Sequence, residues 1–126
     1  IDDVIVVFKA YPTRVVEGPF ATEMTMERSH ELGIEEFGTV TRRQRRIGTW
    51  DGKMARYSAM INGCTQAAIT GIDRIDPACF GVKDYDRLTR KAKDFIAQAE
   101  EDIGKPVTLI STGPEMSQII DLRSEL

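Results

Sequence analysis

Apolar residues come in short runs separated by glycine, proline and charge, and their spacing switches between strand and helix periods along the chain. Val4-Ile5-Val6-Val7-Phe8 is a continuous apolar run of strand length and predicts a buried strand close to the first residue. Tyr11-Pro12-Thr13-Arg14 and Glu17-Gly18-Pro19-Phe20 are rich in turn formers and predict an extended loop. A short helix is expected from about Met26 to Leu32, stopped by Gly33. Met54, Tyr57 and Ile61 then recur at helical spacing, behind Asp51 in an N-cap position and ahead of Asn62-Gly63 as a stop. Gln66 to Thr70 is short and apolar, a central strand leading into Gly71. The longest helix is expected from about Asp86 to Ile103, with Leu88, Ala92, Phe95, Ala99 and Ile103 as its apolar stripe and Gly104-Lys105-Pro106 ending it. Its charges run basic first and acidic last, against the helix dipole, at a cost of about 0.3–1 kcal/mol per charge at most. Val107 to Ile110 reads as the next strand, and Ile119 to Arg123 as one more.

Alternation of this kind predicts an α/β fold, a mostly parallel sheet with covering helices. There is no internal repeat, low-complexity tract or interdomain linker. A buried strand so near the start normally follows earlier elements that cover it, so the chain reads as the C-terminal piece of something longer. Its 126 residues leave room for one domain with a modest core. A hydrophobic fraction of 41% and a charged fraction of 29% are those of a globular chain, and no run is long enough to cross a membrane. Net charge is −3, which argues against general attraction to nucleic acid. Cys64 and Cys79 lack zinc-like spacing and have only His30 as an imidazole partner, so neither a metal site nor a disulfide scaffold is implied, and a cytoplasmic setting is expected.

The segment from Glu36 to Asp51 stands out against this acidic background, with four arginines at Arg42, Arg43, Arg45 and Arg46. Guanidinium groups are rigid two-pronged donors that match carboxylates and phosphates. Thr39 and Thr41 add hydroxyls, and backbone N–H groups near Gly38 could form an anion-binding concavity. In an extended loop alternate residues face opposite ways, so Arg43 and Arg45 would share a face with Thr39 and Thr41, while Arg42 and Arg46 would turn elsewhere. That predicts two working arginines. Two further loops follow strands, where open parallel sheets gather ligands. In Thr70-Gly71-Ile72-Asp73 the aspartate can accept from the N1–H and 2-amino group of a guanine ring, or simply cap a turn. In Ser111-Thr112-Gly113-Pro114 the glycine lets backbone approach a flat ligand. Missing are a glycine-rich phosphate loop ending in Lys-Ser/Thr and any carboxylate pair arranged as acid and base. The residues therefore supply binding groups without a reaction centre.

Together with Lys9-Ala10-Tyr11, Thr13-Arg14-Val15 and Gly18-Pro19-Phe20-Ala21-Thr22-Glu23, these loops resemble the C-terminal part of adenylosuccinate synthetase, in its compact archaeal type. The resemblance implies a portion of a larger P-loop-related nucleotide-binding fold and a ligase of purine biosynthesis. That ligase joins IMP and L-aspartate using GTP and magnesium: GTP phosphorylates the purine 6-oxygen, and the aspartate amine displaces the phosphate. It implies that Thr39, Val40, Thr41, Arg42, Arg43, Gln44 and Arg45 bind aspartate and IMP. Thr41 would bond a substrate carboxylate that Arg43 and Arg45 clamp, with Arg43 near IMP and Arg45 near GTP. Arg45, Gly71, Ile72, Asp73, Ser111, Thr112 and Gly113 would bind GTP. It implies no catalytic residue and no metal ligand in this chain, since the phosphate loop, the catalytic aspartate and histidine and the magnesium ligands belong to the N-terminal portion of a homodimeric enzyme. Gly71 stands where the family usually has lysine, and Arg42 where glycine is common. The competing expectation is a stand-alone anion or nucleic-acid binding module built on Arg42 to Arg46.

Overall fold

The computed structural model describes all residues from 1 to 126. In chain order the principal elements are β1 (Ile5–Lys9), β2 (Thr13–Arg14), α1 (Met26–Glu31), β3 (Arg46–Ile47), α2 (Gly52–Ile61), β4 (Gln66–Thr70), α3 (Ile72–Ile75), α4 (Arg90–Ile103), β5 (Val107–Ser111) and β6 (Ile119–Asp121). They fall into two compact units, Ile1–Ala10 with Gly52–Leu126, and Tyr11–Asp51.

The larger unit is built on a four-stranded sheet of order β1-β4-β5-β6. β1 runs parallel to β4, with Ile5 opposite Gln66 and Lys9 opposite Thr70. β4 runs parallel to β5, with Ile69 opposite Ile110. β6 returns antiparallel to β5, so the sheet is mixed. Ile69, Ile110 and the neighbouring Ile72 of α3 are fully buried, as expected where a strand lies between two others. β1 departs from the expectation of a buried strand. It is an edge strand with one pairing partner, and Val7 is 64% exposed. One polar pair lies inside: the Thr108 hydroxyl donates to the Gln66 side-chain carbonyl, satisfying two groups that would otherwise be buried unpaired.

Two helices differ from the expectation. α4 starts at Arg90, not at Asp86, because the sequence offers two caps in succession. Asp84 accepts from the Asp86 N–H and closes a single 3-10 turn over Tyr85–Arg87. Leu88 is then extended, and the Thr89 hydroxyl accepts from the Ala92 N–H to open the helix proper. Its buried stripe is Ala92, Ile96, Ala99 and Ile103, with Phe95 at the margin. In α2 the predicted stripe of Met54, Tyr57 and Ile61 is exposed, and Ala55 and Ala59 are buried instead. The reason is α4, which packs against α2 and is met by these two small side chains.

The same pairing answers the reversed charge of α4. Arg56 of α2 donates from Nε to the carbonyl of Asp102 at 3.0 Å and from Nη2 to that of Glu101 at 3.3 Å. A neighbouring helix thus supplies the cation that the last turn of α4 lacks. Glu100 meanwhile accepts from the Val107 N–H at 2.9 Å and ties the helix end to the start of β5.

The smaller unit carries the antiparallel pair β2–β3 and the short helix α1, capped by the Thr25 hydroxyl accepting from the Arg28 N–H. Ile34 and Ile47 are its fully buried aliphatics. The loop expected to run unbroken from Tyr11 to Phe20 contains β2, and the segment expected to be a loop from Glu36 contains β3.

Candidate functional site

Residues 36–45 form a hairpin, not an extended loop. Phe37 and Gln44 are bridged antiparallel, the Gly38 N–H donates to the Arg43 carbonyl at 2.9 Å, and the Arg45 N–H donates to the Glu36 carbonyl at 2.7 Å. The tip turns through Thr39, Val40, Thr41 and Arg42, with the Arg42 N–H donating to the Gly38 carbonyl at 2.9 Å. Alternation therefore survives only on the returning arm. Arg43 and Arg45 share one face there, and Gln44 takes the other. Thr39 and Thr41 belong to the turn. The Thr41 hydroxyl accepts from the Arg43 N–H at 3.3 Å and lies over Gly38, leaving its own proton available to a ligand. Val40 is 90% exposed.

Arg42 sits at the tip with φ of 58°, a left-handed conformation in which a Cβ crowds the following carbonyl. Arg42→Gly is expected to stabilise the smaller unit by up to about 1 kcal/mol, and Arg42→Val to destabilise it, in thermal melts of the two variants.

The arginines divide by how much of their hydrogen-bonding capacity the fold consumes. Arg46 is spent internally. It pairs with both carboxylate oxygens of Glu23 at 2.8 Å, donates to the carbonyls of Val16 at 2.8 Å and Gly18 at 2.9 Å, and lies over the Phe20 ring. Its hydrogen bond holds the Glu23 carboxyl below the usual carboxylate range. Arg14 is likewise bound to the carbonyls of Val16, Glu17 and Pro19. The Arg43 guanidinium makes no hydrogen bond or ion pair within the chain. Arg45 reaches Glu36 only at 4.0 Å, and its buried Nε has no partner. Gln44, counted among the binding residues from the sequence, points inward. Its Nε2 donates to Glu35 at 3.2 Å and to the Ser29 hydroxyl at 3.5 Å, and Glu35 also pairs with His30 at 2.7 Å. Gln44 thereby braces the hairpin on α1.

In the larger unit the loops after β4 and β5 leave the same end of adjacent parallel strands. Gly71 has φ of 81° and opens α3, and Ile72 is buried beneath it. A Cβ on Gly71 would sit in ordinary van der Waals contact with the Arg74 side chain at 3.7 Å and Ala10 at 3.9 Å, so it is the left-handed backbone and not crowding that favours glycine here. Asp73 is half-buried, and its carboxylate has no partner in the chain. The Ser111 hydroxyl donates to the Gly113 carbonyl at 2.9 Å. Thr112 is fully buried, and its hydroxyl donates to the Val82 carbonyl at 2.8 Å. Its backbone is also committed, the N–H donating to the Gln118 carbonyl at 2.9 Å and the carbonyl accepting from the Gly81 N–H at 3.0 Å, so Thr112 fastens the loop. Gly113 owes its lack of a side chain to Gln118, whose amide occupies the space where a Cβ would be. Sequence reading missed Gln118; its spacing from Gly113 carries no signal until the loop is seen to fold back.

The adenylosuccinate synthetase family profile matches residues 1–79, well over half of the chain. The chain belongs to that family. An adenylosuccinate synthetase of Archaeoglobus fulgidus is 66% identical over 125 residues, covering 99% of this chain and 37% of its own length. The enzyme of Methanocaldococcus jannaschii is 57% identical over 126 residues, covering 100% of this chain and 36% of its own length. This chain therefore spans little more than a third of the adenylosuccinate synthetases it matches. Among solved structures, the fully ligated adenylosuccinate synthetase of Plasmodium falciparum has a similar fold, with a TM-score of 0.86 at 23% identity over 96% of this chain and 40% of that one. The cyanophage S-2L succinoaminodeoxyadenylate synthetase, bound to dGMP and dATP, gives 0.72 at 21% identity over 95% of this chain and 33% of its own.

Proposed function

We propose that this chain is the C-terminal part of an adenylosuccinate-forming ligase and supplies two recognition surfaces to it, one for L-aspartate and one for the guanine of GTP. The division among the arginines carries this reading. A fold that ties Arg14 and Arg46 into carbonyls and a carboxylate, yet leaves Arg43 and Arg45 side by side with donors unspent, is arranged to receive a ligand with several oxygens. Thr39, Val40, Thr41 and Arg42 form the tip that covers such a ligand, and Thr41 can donate to one of its carboxylates. In the larger unit Asp73 accepts from the guanine N1–H and 2-amino group, flanked by the backbone of Gly71 and Ile72 and by Ser111, Thr112 and Gly113.

The chemical step, in which GTP phosphorylates the IMP 6-oxygen and aspartate displaces phosphate, rests chiefly on positioning and charge stabilisation. No three His, Cys, Asp or Glu side chains of this chain are grouped to hold a metal ion. Magnesium, the IMP contacts and the reacting groups are assigned to the rest of the polypeptide, in a homodimer in the cytoplasm.

Asp73→Asn tests the guanine half directly. Replacing the carboxylate by an amide removes charge-assisted bonds of about 1.5–3 kcal/mol each and presents a donor to a donor. Calorimetric titration of the chain with GTP is expected to show a loss of at least tenfold in affinity for the variant. Equal binding by both forms would overturn the assignment. In the longer polypeptide, adenylosuccinate formation from IMP, aspartate and GTP is the corresponding readout, and the 126-residue chain alone is expected to show none.

A further inference from the structure

We propose that Glu35 is a positioning residue: acting through Gln44, it holds Arg43 and Arg45 on the face from which the hairpin meets L-aspartate. This rests on the aspartate reading above. Gln44 Nε2 donates to Glu35 Oε2 at 3.2 Å and to the Ser29 hydroxyl at 3.5 Å. Both partners have lone pairs to offer. A carboxylate only accepts, and the Ser29 hydroxyl has already given its own proton to the Met26 carbonyl at 2.8 Å. The amide is therefore oriented, with its nitrogen toward α1 and the residues that follow it. The bond to Glu35 is the shorter of the two and the one with a charged acceptor, which makes it the stronger. Successive side chains on an extended arm face opposite ways, so fixing Gln44 inward fixes its two neighbours outward.

Glu35 is itself held in place by the way the chain leaves α1. The Leu32 N–H donates to the Arg28 carbonyl at 3.0 Å, the Gly33 N–H to that of His30 at 3.0 Å, and the Ile34 N–H to that of Ser29 at 3.1 Å. Gly33 makes this reversal with φ of 68°, and Ile34 is buried behind it. Glu35 then returns beside the helix, with Oε1 2.7 Å from His30 Nδ1. One residue later the Glu36 carbonyl accepts from the Arg45 N–H at 2.7 Å and starts the hairpin. Glu35 thus ties the fixed end of α1 to the returning arm. Its two oxygens are taken by His30 and Gln44, so the carboxylate neither neutralises the two arginines nor turns them aside.

Steady-state kinetics of the proposed ligase with varied aspartate test this, with Arg45→Ala as the control. Glu35→Ala and Gln44→Leu are each expected to raise KM for aspartate about tenfold, with kcat and KM for GTP unchanged. Because one residue acts through the other, the double variant should match the single ones and not reach about a hundredfold. Glu35→Gln keeps an oxygen for the Gln44 amide and should bring KM back close to that of the parent. Limited proteolysis of the Tyr11–Asp51 unit should proceed as in the parent for all of them. If Arg45→Ala raises KM for aspartate while Glu35→Ala and Gln44→Leu leave it unchanged, or if their effects multiply, the role of Glu35 is overturned and the aspartate reading stands. The role is equally overturned if kcat and both KM values change together with faster proteolysis, since that is loss of the fold and not of direction. If Arg45→Ala leaves KM for aspartate unchanged, the aspartate reading falls and this inference with it.

Discussion

Ile69→Ala is expected to destabilise the larger unit by about 2–5 kcal/mol, the range for emptying a buried aliphatic position. Ile69 is fully buried in β4, the strand paired on both sides, and stands opposite Phe8 of β1 and Ile110 of β5. The surrounding strands are fixed by ladder hydrogen bonds and cannot close readily over the missing atoms. Urea denaturation is the measurement, with an earlier midpoint and an unchanged slope as the expected result. A shift smaller than about 1 kcal/mol would mean that this strand is not packed as described. The exposed Val7 on the edge strand β1 is the matched comparison, and Val7→Ala should stay within about 0.5 kcal/mol of the parent.

On the aspartate reading proposed above, Arg45→Ala is expected to reduce the affinity of the proposed ligase for L-aspartate by roughly 10- to 150-fold, as follows from losing one charge-assisted contact of about 1.5–3 kcal/mol. Arg45→Lys should recover little of this, because an ammonium cannot reproduce the two-pronged donor geometry. The comparison that gives the experiment its force is Arg46→Ala. Arg46 is committed to Glu23, Val16 and Gly18, so its removal should make the Tyr11–Asp51 unit more susceptible to proteolysis, whereas Arg45→Ala should leave that susceptibility unchanged. If Arg45→Ala unfolds the unit, or if it leaves aspartate affinity intact, Arg45 is not a ligand contact. Steady-state kinetics with varied aspartate, read beside limited proteolysis, separates the outcomes.

The sequence by itself determined the four strands of the larger sheet, the three longer helices, the α/β class and the placing of two loops at strand ends, while β2, β3 and α3 went unread. Those features depend on residues close together in the chain: a run of apolar side chains, a glycine after a helix, a threonine or aspartate before one. It also placed Arg43 and Arg45 on one face, because alternation over three residues holds on one arm of a hairpin as it does in a strand. Tertiary structure alone decided the rest. Whether an arginine is free depends on acceptors far away in sequence, and Arg46 finds its own at Val16 and Glu23. Which face of α2 is buried was set by α4, which accepts Ala55 and Ala59 and leaves Met54 and Tyr57 outside. Gln44 turned inward because α1 offers Ser29 and, just beyond it, Glu35. Gln118 came to fill the space beside Gly113 only when the loop after β5 folded back. Periodicity reports which positions are apolar, while the use made of a polar group is settled by partners that only folding brings within hydrogen-bonding reach.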